Sequence, residues 1–193
     1  MGRYRALRRR LALLVWLAGV ASAATAATAT AQAPVEREAS LEAFSRIAEV
    51  LRHPRCLNCH PSGDHPRQAD DRHRHRMQVA RGPDDRGTPA LKCSTCHQTA
   101  NTADGRVPGA PRWQLAPRSM GWENLSDSDL CRVLKDPRRN GGRSVRALVE
   151  HMTADPLVQW AWRPGERKPP PIGQREFHDL VRRWAQTGAA CPA

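Results

Sequence analysis

Large apolar side chains are scarce in this 193-residue chain, in which one tyrosine, two phenylalanines and six tryptophans supply all the aromatics. Alternating apolar and polar stretches of the kind that build half-buried strands are missing. So is any uninterrupted apolar run of the roughly 20 residues that a bilayer-spanning helix needs. The first absence leaves a thin core, so that something other than side chains must fill the interior. The second argues against a β-sheet domain, and the third against a polytopic membrane protein. Length supports one ordinary domain or two very small ones.

What is present begins with "MGRYRALRRR", a basic segment, followed by the apolar "LALLVWLAGV" and the small-residue run "ASAATAATATAQA". Basic, apolar and A-x-A-bearing segments in that order predict a signal peptide over residues 1–31, with a mature domain over 32–193. Cleavage after Ala23 or Ala31 fits better than cleavage directly before Pro34. An uncleaved anchor is the alternative, and it alone would associate the chain with a membrane. The formal net charge of +12 falls to +7 once Arg3, Arg5, Arg8, Arg9 and Arg10 leave. An exported protein meets little nucleic acid, so the excess suits an acidic protein partner, an anionic surface or plain solubility.

Helical periodicity predicts a helix from Ser40 to Leu51, capped by Ser40, with Leu41, Phe44, Ile47, Ala48 and Leu51 on one face and Pro54 beyond its end. From Pro61 to Pro89 the composition shifts to Pro, Gly, Asp, Arg and His without apolar periodicity, which predicts loop. A second Pro/Gly-rich loop covers about Asn101 to Asn124. Later, Ser126 with Asp129 resembles a capping box, Ser144 can cap a second helix, Asp155-Pro156 can open a short third, and Phe177, Leu180, Val181 and Trp184 mark a terminal helix ended by Gly188. The expected fold class is all-α, loop-rich, with short helices.

The one recurring pattern is C-x-x-C-H, as Cys56, Cys59, His60 and again as Cys93, Cys96, His97. Random placement of this composition predicts about 0.008 such motifs per chain. Two thiols at this spacing add across the two vinyl groups on one edge of a porphyrin, and the next histidine is carried beneath the iron. Two covalently bound haem c groups would also supply the missing core. Phe44, Trp113, Trp122, Trp160, Trp162 and Trp184 are candidate neighbours, with ordinary packing as the alternative. Zinc is the rival use of the cysteines. Paired C-x-x-C zinc sites usually lie about 15–20 residues apart, whereas 33 residues separate Cys59 from Cys93. A disulfide within each motif is a third use. The remaining Cys131 and Cys191, read as lying on helical segments, are expected to pair with each other in an oxidising compartment, with a free reactive thiol as the alternative.

His60 and His97 are the expected proximal ligands. For the sixth position the chain offers His53, His65, His73, His75, His151 and His178, with Met77, Met120 and Met152 as thioether alternatives. His75, in the arginine-rich "DDRHRHRMQV", and His151, beside the apolar stripe of "LVEHM", are the selected pair, with Met77 and Met120 next.

On these residues the chain resembles exported dihaem c-type cytochromes. More narrowly, "RGP", "PGAPRWQLAP", "LCRVLKDP", "NGG", "LVEHM" and "DPLVQWAW" resemble a family of small proteins labelled isoquinoline 1-oxidoreductase subunits, over roughly Phe44 to Trp184. That resemblance implies a periplasmic haem subunit that passes electrons for a molybdenum hydroxylase. The chain itself lacks the ferredoxin-type cysteine pattern and the bulk such an enzyme's catalytic parts require. The expected function is therefore single-electron relay between an oxidoreductase and a downstream acceptor. A small dihaem peroxidase with one five-coordinate iron is the enzymatic alternative, and a structural zinc protein the third. Arg67, Arg72, Arg74, Arg76, Arg81 and Arg86 form a candidate docking loop for an acidic partner.

Overall fold

A computed structural model describes residues 34–193, so the signal-peptide segment over residues 1–31 lies outside the described residues. From Ala39 onward the chain forms one compact unit. Residues 34–51 are helical (α1). Then come α2 (Pro54–Leu57), α3 (Asp127–Lys135), α4 (Val145–Ala154), α5 (Pro156–Gln159) and α6 (Gln174–Gln186). Short 3-10 turns at Arg76–Gln78, Cys93–Thr95, Arg118–Met120 and Trp160–Trp162 interrupt the loops. The architecture is mostly helical, with short helices and much loop. Among the described residues no helix is long and apolar enough to cross a membrane.

Local chemistry explains most helix starts. Ser126 Oγ accepts from Asp129 N at 3.0 Å and donates to the Asp129 carboxylate at 2.8 Å. Asp127 and Asp129 sit in the first turn of α3 and Arg132 and Lys135 in the last, each matching the helix dipole. Ser144 caps α4 through Ala147 N, and Asp155 caps α5 through Leu157 N. Beyond α6, Gly188 takes a φ of +95° that side chains avoid, which ends the helix.

Three features depart from the sequence expectation. Ser40 does not cap α1 but lies within it, fully buried. Its Oγ donates to Trp184 O at 3.2 Å and accepts from Ala190 N at 2.9 Å, so it staples α1 to the C-terminal tail. Strand pairing, expected nowhere, occurs in two minimal antiparallel pairs: β1 (Arg67–Gln68) with β2 (His73–Arg74), and β3 (Gly87–Thr88) with β4 (Leu91–Lys92). Two-residue strands are too short to show an alternating pattern. Cys191 lies in the tail beyond α6, not on a helix.

The side-chain core occupies the helical part. Phe44, Ile47, Leu130, Leu148, Phe177 and Trp184 are buried there, and Phe44 packs on Trp184 with ring centres 5.6 Å apart. In α6 Phe177, Val181 and Trp184 fall on one buried stripe, each contributing about 1.5–3 kcal/mol by burial. The Cys131–Cys191 disulfide ties α3 to the tail across a Cα separation of 5.5 Å.

The loop from Pro61 to Pro89 has no such core and is held by buried cations. Arg81 donates to Pro61 O at 3.1 Å, to Gly63 O at 3.3 Å, to Ala116 O, and to Asp85 Oδ1 at 2.6 Å. Of the arginines expected to dock a partner, Arg67 and Arg72 pair with Glu123, Arg74 bonds His65, and Arg86 bonds Gln114. Most of the loop's positive charge is thus committed within the fold.

Candidate functional site

Each C-x-x-C-H motif folds as one tight turn. In the first, His53 Nδ1 accepts from Arg55 N at 3.3 Å to start α2, Cys59 N donates to Cys56 O at 3.1 Å, and His60 N donates to Leu57 O at 3.2 Å. In the second, Cys96 N and His97 N both donate to Cys93 O, at 3.2 and 2.9 Å. All four cysteines are free thiols, which sets aside a disulfide within either motif. Cys56, Cys59 and His60 line one cavity, and Cys93, Cys96 and His97 line another. Cys59, Arg55 and Trp160 line the two at once, so the cavities share a wall.

The two motif histidines are fixed in the same way. His60 Nδ1–H donates to Met120 O at 2.8 Å, and His97 Nδ1–H donates to Pro108 O at 2.7 Å. A donor bond at Nδ1 selects the tautomer whose lone pair is on Nε2, the arrangement that prepares an imidazole to bind a metal. An indole lies flat on each ring: Trp122 on His60, with centres 3.4 Å apart, and Trp113 on His97, with centres 4.6 Å apart.

Both carbonyl acceptors are followed by a glycine pressed against the segment just after its own motif. A Cβ at Gly121 would meet Ser62 Cα at 2.7 Å, and one at Gly109 would meet Ala100 O at 2.0 Å. Met120-Gly121 and Pro108-Gly109 therefore dock as bare backbone, which is how their carbonyls reach the imidazoles. Trp122 N donating to His60 O at 3.1 Å adds a backbone tie to the first of these.

Of the six other histidines, two line the cavities: His75 with His97, and His151 with His60. His75 and His97 have ring centres 6.0 Å apart with planes at 74°. Two imidazoles sharing one metal through Nε2 would have centres about 6 Å apart, from metal–nitrogen bonds of about 2 Å and about 1 Å from each nitrogen to its ring centre. His75 Nδ1 donates to Arg76 O at 2.7 Å, and His151 Nδ1 to the Asp155 carboxylate at 3.1 Å, leaving Nε2 uncommitted in both. The other four are placed elsewhere. His53 caps α2, His65 Nδ1 bonds Val79 O, His73 Nδ1 bonds Asp71, and His178 Nε2 bonds Gln159.

The thioethers are less well disposed. Met77 reaches the second motif's cavity but is 77% exposed. Met120 lines the first motif's cavity, yet its own carbonyl holds His60, which places its backbone on that histidine's side. Trp113 and Trp160 line the second motif's cavity, and Trp122, Trp160 and Trp162 the first's. Phe44 and Trp184, expected as cofactor neighbours, line neither and belong to the core.

Burial controls protonation. It holds His60 down to about 3 and lowers His97 and His151 as well, so all three are neutral at pH 7. It pushes the Cys56 thiol up to about 12 and Cys59 to about 11, and raises Cys93. Neutral imidazoles with free Nε2 lone pairs suit ligation, whereas the thiols that burial keeps protonated at Cys56, Cys59 and Cys93 are poor nucleophiles until deprotonated. They do not resemble a preformed thiolate cage. Among the described residues no three His, Cys, Asp or Glu side chains converge closely enough to hold an ion directly, as tetrahedral zinc requires.

Sequence reasoning missed the carbonyl anchors, the stacked indoles and the buried Arg55 and Arg81. The glycines after Pro108 and Met120 were visible, but a close backbone approach cannot be told from a turn in one sequence. Comparisons with protein-family models, with curated proteins and with solved structures return no match.

Proposed function

We propose that the chain is a periplasmic dihaem c-type cytochrome that relays single electrons. The observation that carries this reading is the paired geometry of the motifs. Each motif histidine is anchored at Nδ1 by a carbonyl, stacked on an indole, and turned into a cavity lined by its own two thiols and a second histidine. When bound, haem c supplies one-electron redox chemistry and strong visible absorption. Cys56 and Cys59, and likewise Cys93 and Cys96, would hold it through thioether links, each S–H adding across one vinyl group. His60 with His151, and His97 with His75, are the imidazoles that would hold the iron in each cavity. Trp113, Trp122, Trp160 and Trp162 exclude water from the cavities, and Asp155 orients His151.

A second histidine available to each site favours a carrier over a peroxidase, which needs an open coordination position. The shared wall of Cys59, Arg55 and Trp160 brings the two sites within one side chain of each other, as an internal relay requires. The partner follows from the family resemblance: a periplasmic oxidoreductase, with a molybdenum hydroxylase as the specific candidate. The test is carbon monoxide binding to the dithionite-reduced protein, followed optically, alongside hydrogen peroxide turnover. A relay with two six-coordinate irons binds carbon monoxide poorly and turns over no peroxide. Rapid binding to one iron with peroxide consumption would replace it with the peroxidase.

A further inference from the structure

Arg55 directly precedes Cys56 and so adjoins the first motif, yet it lines the cavities of both motifs. Its side chain is 1% exposed. One terminal nitrogen donates to Asp70 Oδ1 at 2.6 Å and to Ala69 O at 3.0 Å, while its Nε is buried without a hydrogen-bond partner. The guanidinium carbon stands 6.0 Å from the ring centre of Trp160, the aromatic residue of the shared wall. Among the described residues no aspartate or glutamate lines either cavity. The nearest counter-charge, Asp70, is 40% exposed, so water screens the anion more than the cation.

A buried, incompletely compensated cation common to two redox sites acts on both in the same direction. Adding an electron makes each site less positive, and a neighbouring cation favours that form, which raises its reduction potential. We infer that Arg55 is a positioning residue that sets the potentials of both sites together, a role that rests on the dihaem reading above. Its location at the boundary makes it a shared control, unlike the histidines, each of which serves one site.

The test is an optical redox titration of the intact holoprotein and three variants: Arg55→Gln, Arg55→Lys and Asp70→Asn. Arg55→Gln lowers both midpoint potentials, Arg55→Lys leaves both close to wild type, and Asp70→Asn raises both. Opposite signs for the two charge-removing variants are what a merely structural clamp would not produce. Unmoved midpoints in both, or shifts of the same sign, would overturn the role. If Arg55→Gln fails to fold, Asp70→Asn decides, since an unchanged or lowered pair of midpoints contradicts it. A haem count on the wild type separates the two levels. Two haems with unresponsive variants overturn the Arg55 role alone, and no haem overturns it together with the dihaem reading.

Discussion

His75 faces His97 across the second motif's cavity at a ring-centre distance of 6.0 Å, although 21 positions of loop, turn and hairpin lie between them in sequence. The β1–β2 pair immediately precedes His75 and pins its backbone, with His75 N donating to Pro66 O at 3.0 Å. On the proposed dihaem reading, removing this imidazole while keeping the fold opens one coordination position. In His75→Ala, one of two ferric haems converts from low to high spin in the electron paramagnetic resonance spectrum, and the reduced protein binds about one equivalent of carbon monoxide. The other haem stays low-spin.

The bare backbone at Gly109 and Gly121 makes a second expectation. Gly109→Ala sets a methyl 2.0 Å from Ala100 O, and Gly121→Ala sets one 2.7 Å from Ser62 Cα. Neither neighbour is a flexible side-chain tip, so the carbonyl of Pro108 or Met120 must withdraw from its histidine. Each variant loses roughly 2 kcal/mol or more in thermal or denaturant unfolding. Gly109→Ala perturbs the spectrum of the second-motif haem and Gly121→Ala that of the first. Gly142, with open space around its absent Cβ but a φ of +78°, is a control in which strain alone operates.

Arg81 is the clasp of the Pro61–Pro89 loop. Arg81→Met leaves the carbonyls of Pro61, Gly63 and Ala116 and the Asp85 carboxylate without their donor. The cost is about 3 kcal/mol in equilibrium unfolding. Arg74, which stands on β2 and bonds a half-exposed histidine, costs well under about 1 kcal/mol when replaced by Met.

The Cys131–Cys191 bridge spans 60 positions of sequence. Cys131→Ser with Cys191→Ser destabilises by about 4 kcal/mol in the chain-entropy model, read as a shift of the denaturation midpoint under non-reducing conditions. The motif cysteines are separate from this bridge, so the visible spectrum of the folded double variant is unchanged.

Much of the fold was legible where the information is local. Ser126, Ser144 and Asp155 cap the helices their positions suggested, because a cap is a contact between residues only two or three positions apart. Cys131 and Cys191 pair because the motifs claim the other four cysteines. Ser40 was misread since its partners, Trp184 O and Ala190 N, lie more than 140 positions away, while a serine ahead of an apolar stripe looks like any cap. Of the candidate site, the thiols and the four cavity-lining histidines could be named from the sequence, but what holds them could not. The acceptors of His60 and His97 are backbone carbonyls, which every residue has. Arg55 and Arg81 are buried, yet in a chain with 31 basic residues nothing distinguishes them from exposed arginines.

The central claim is that each C-x-x-C-H motif carries one covalent haem, and a pyridine haemochrome assay with intact mass tests it most directly. The protein is expressed with its N-terminal segment in a host competent for c-type cytochrome maturation. Wild type is expected to carry two haems, and Cys56→Ser with Cys59→Ser, or Cys93→Ser with Cys96→Ser, one each. A colourless wild-type protein at the mass of the bare polypeptide would contradict it.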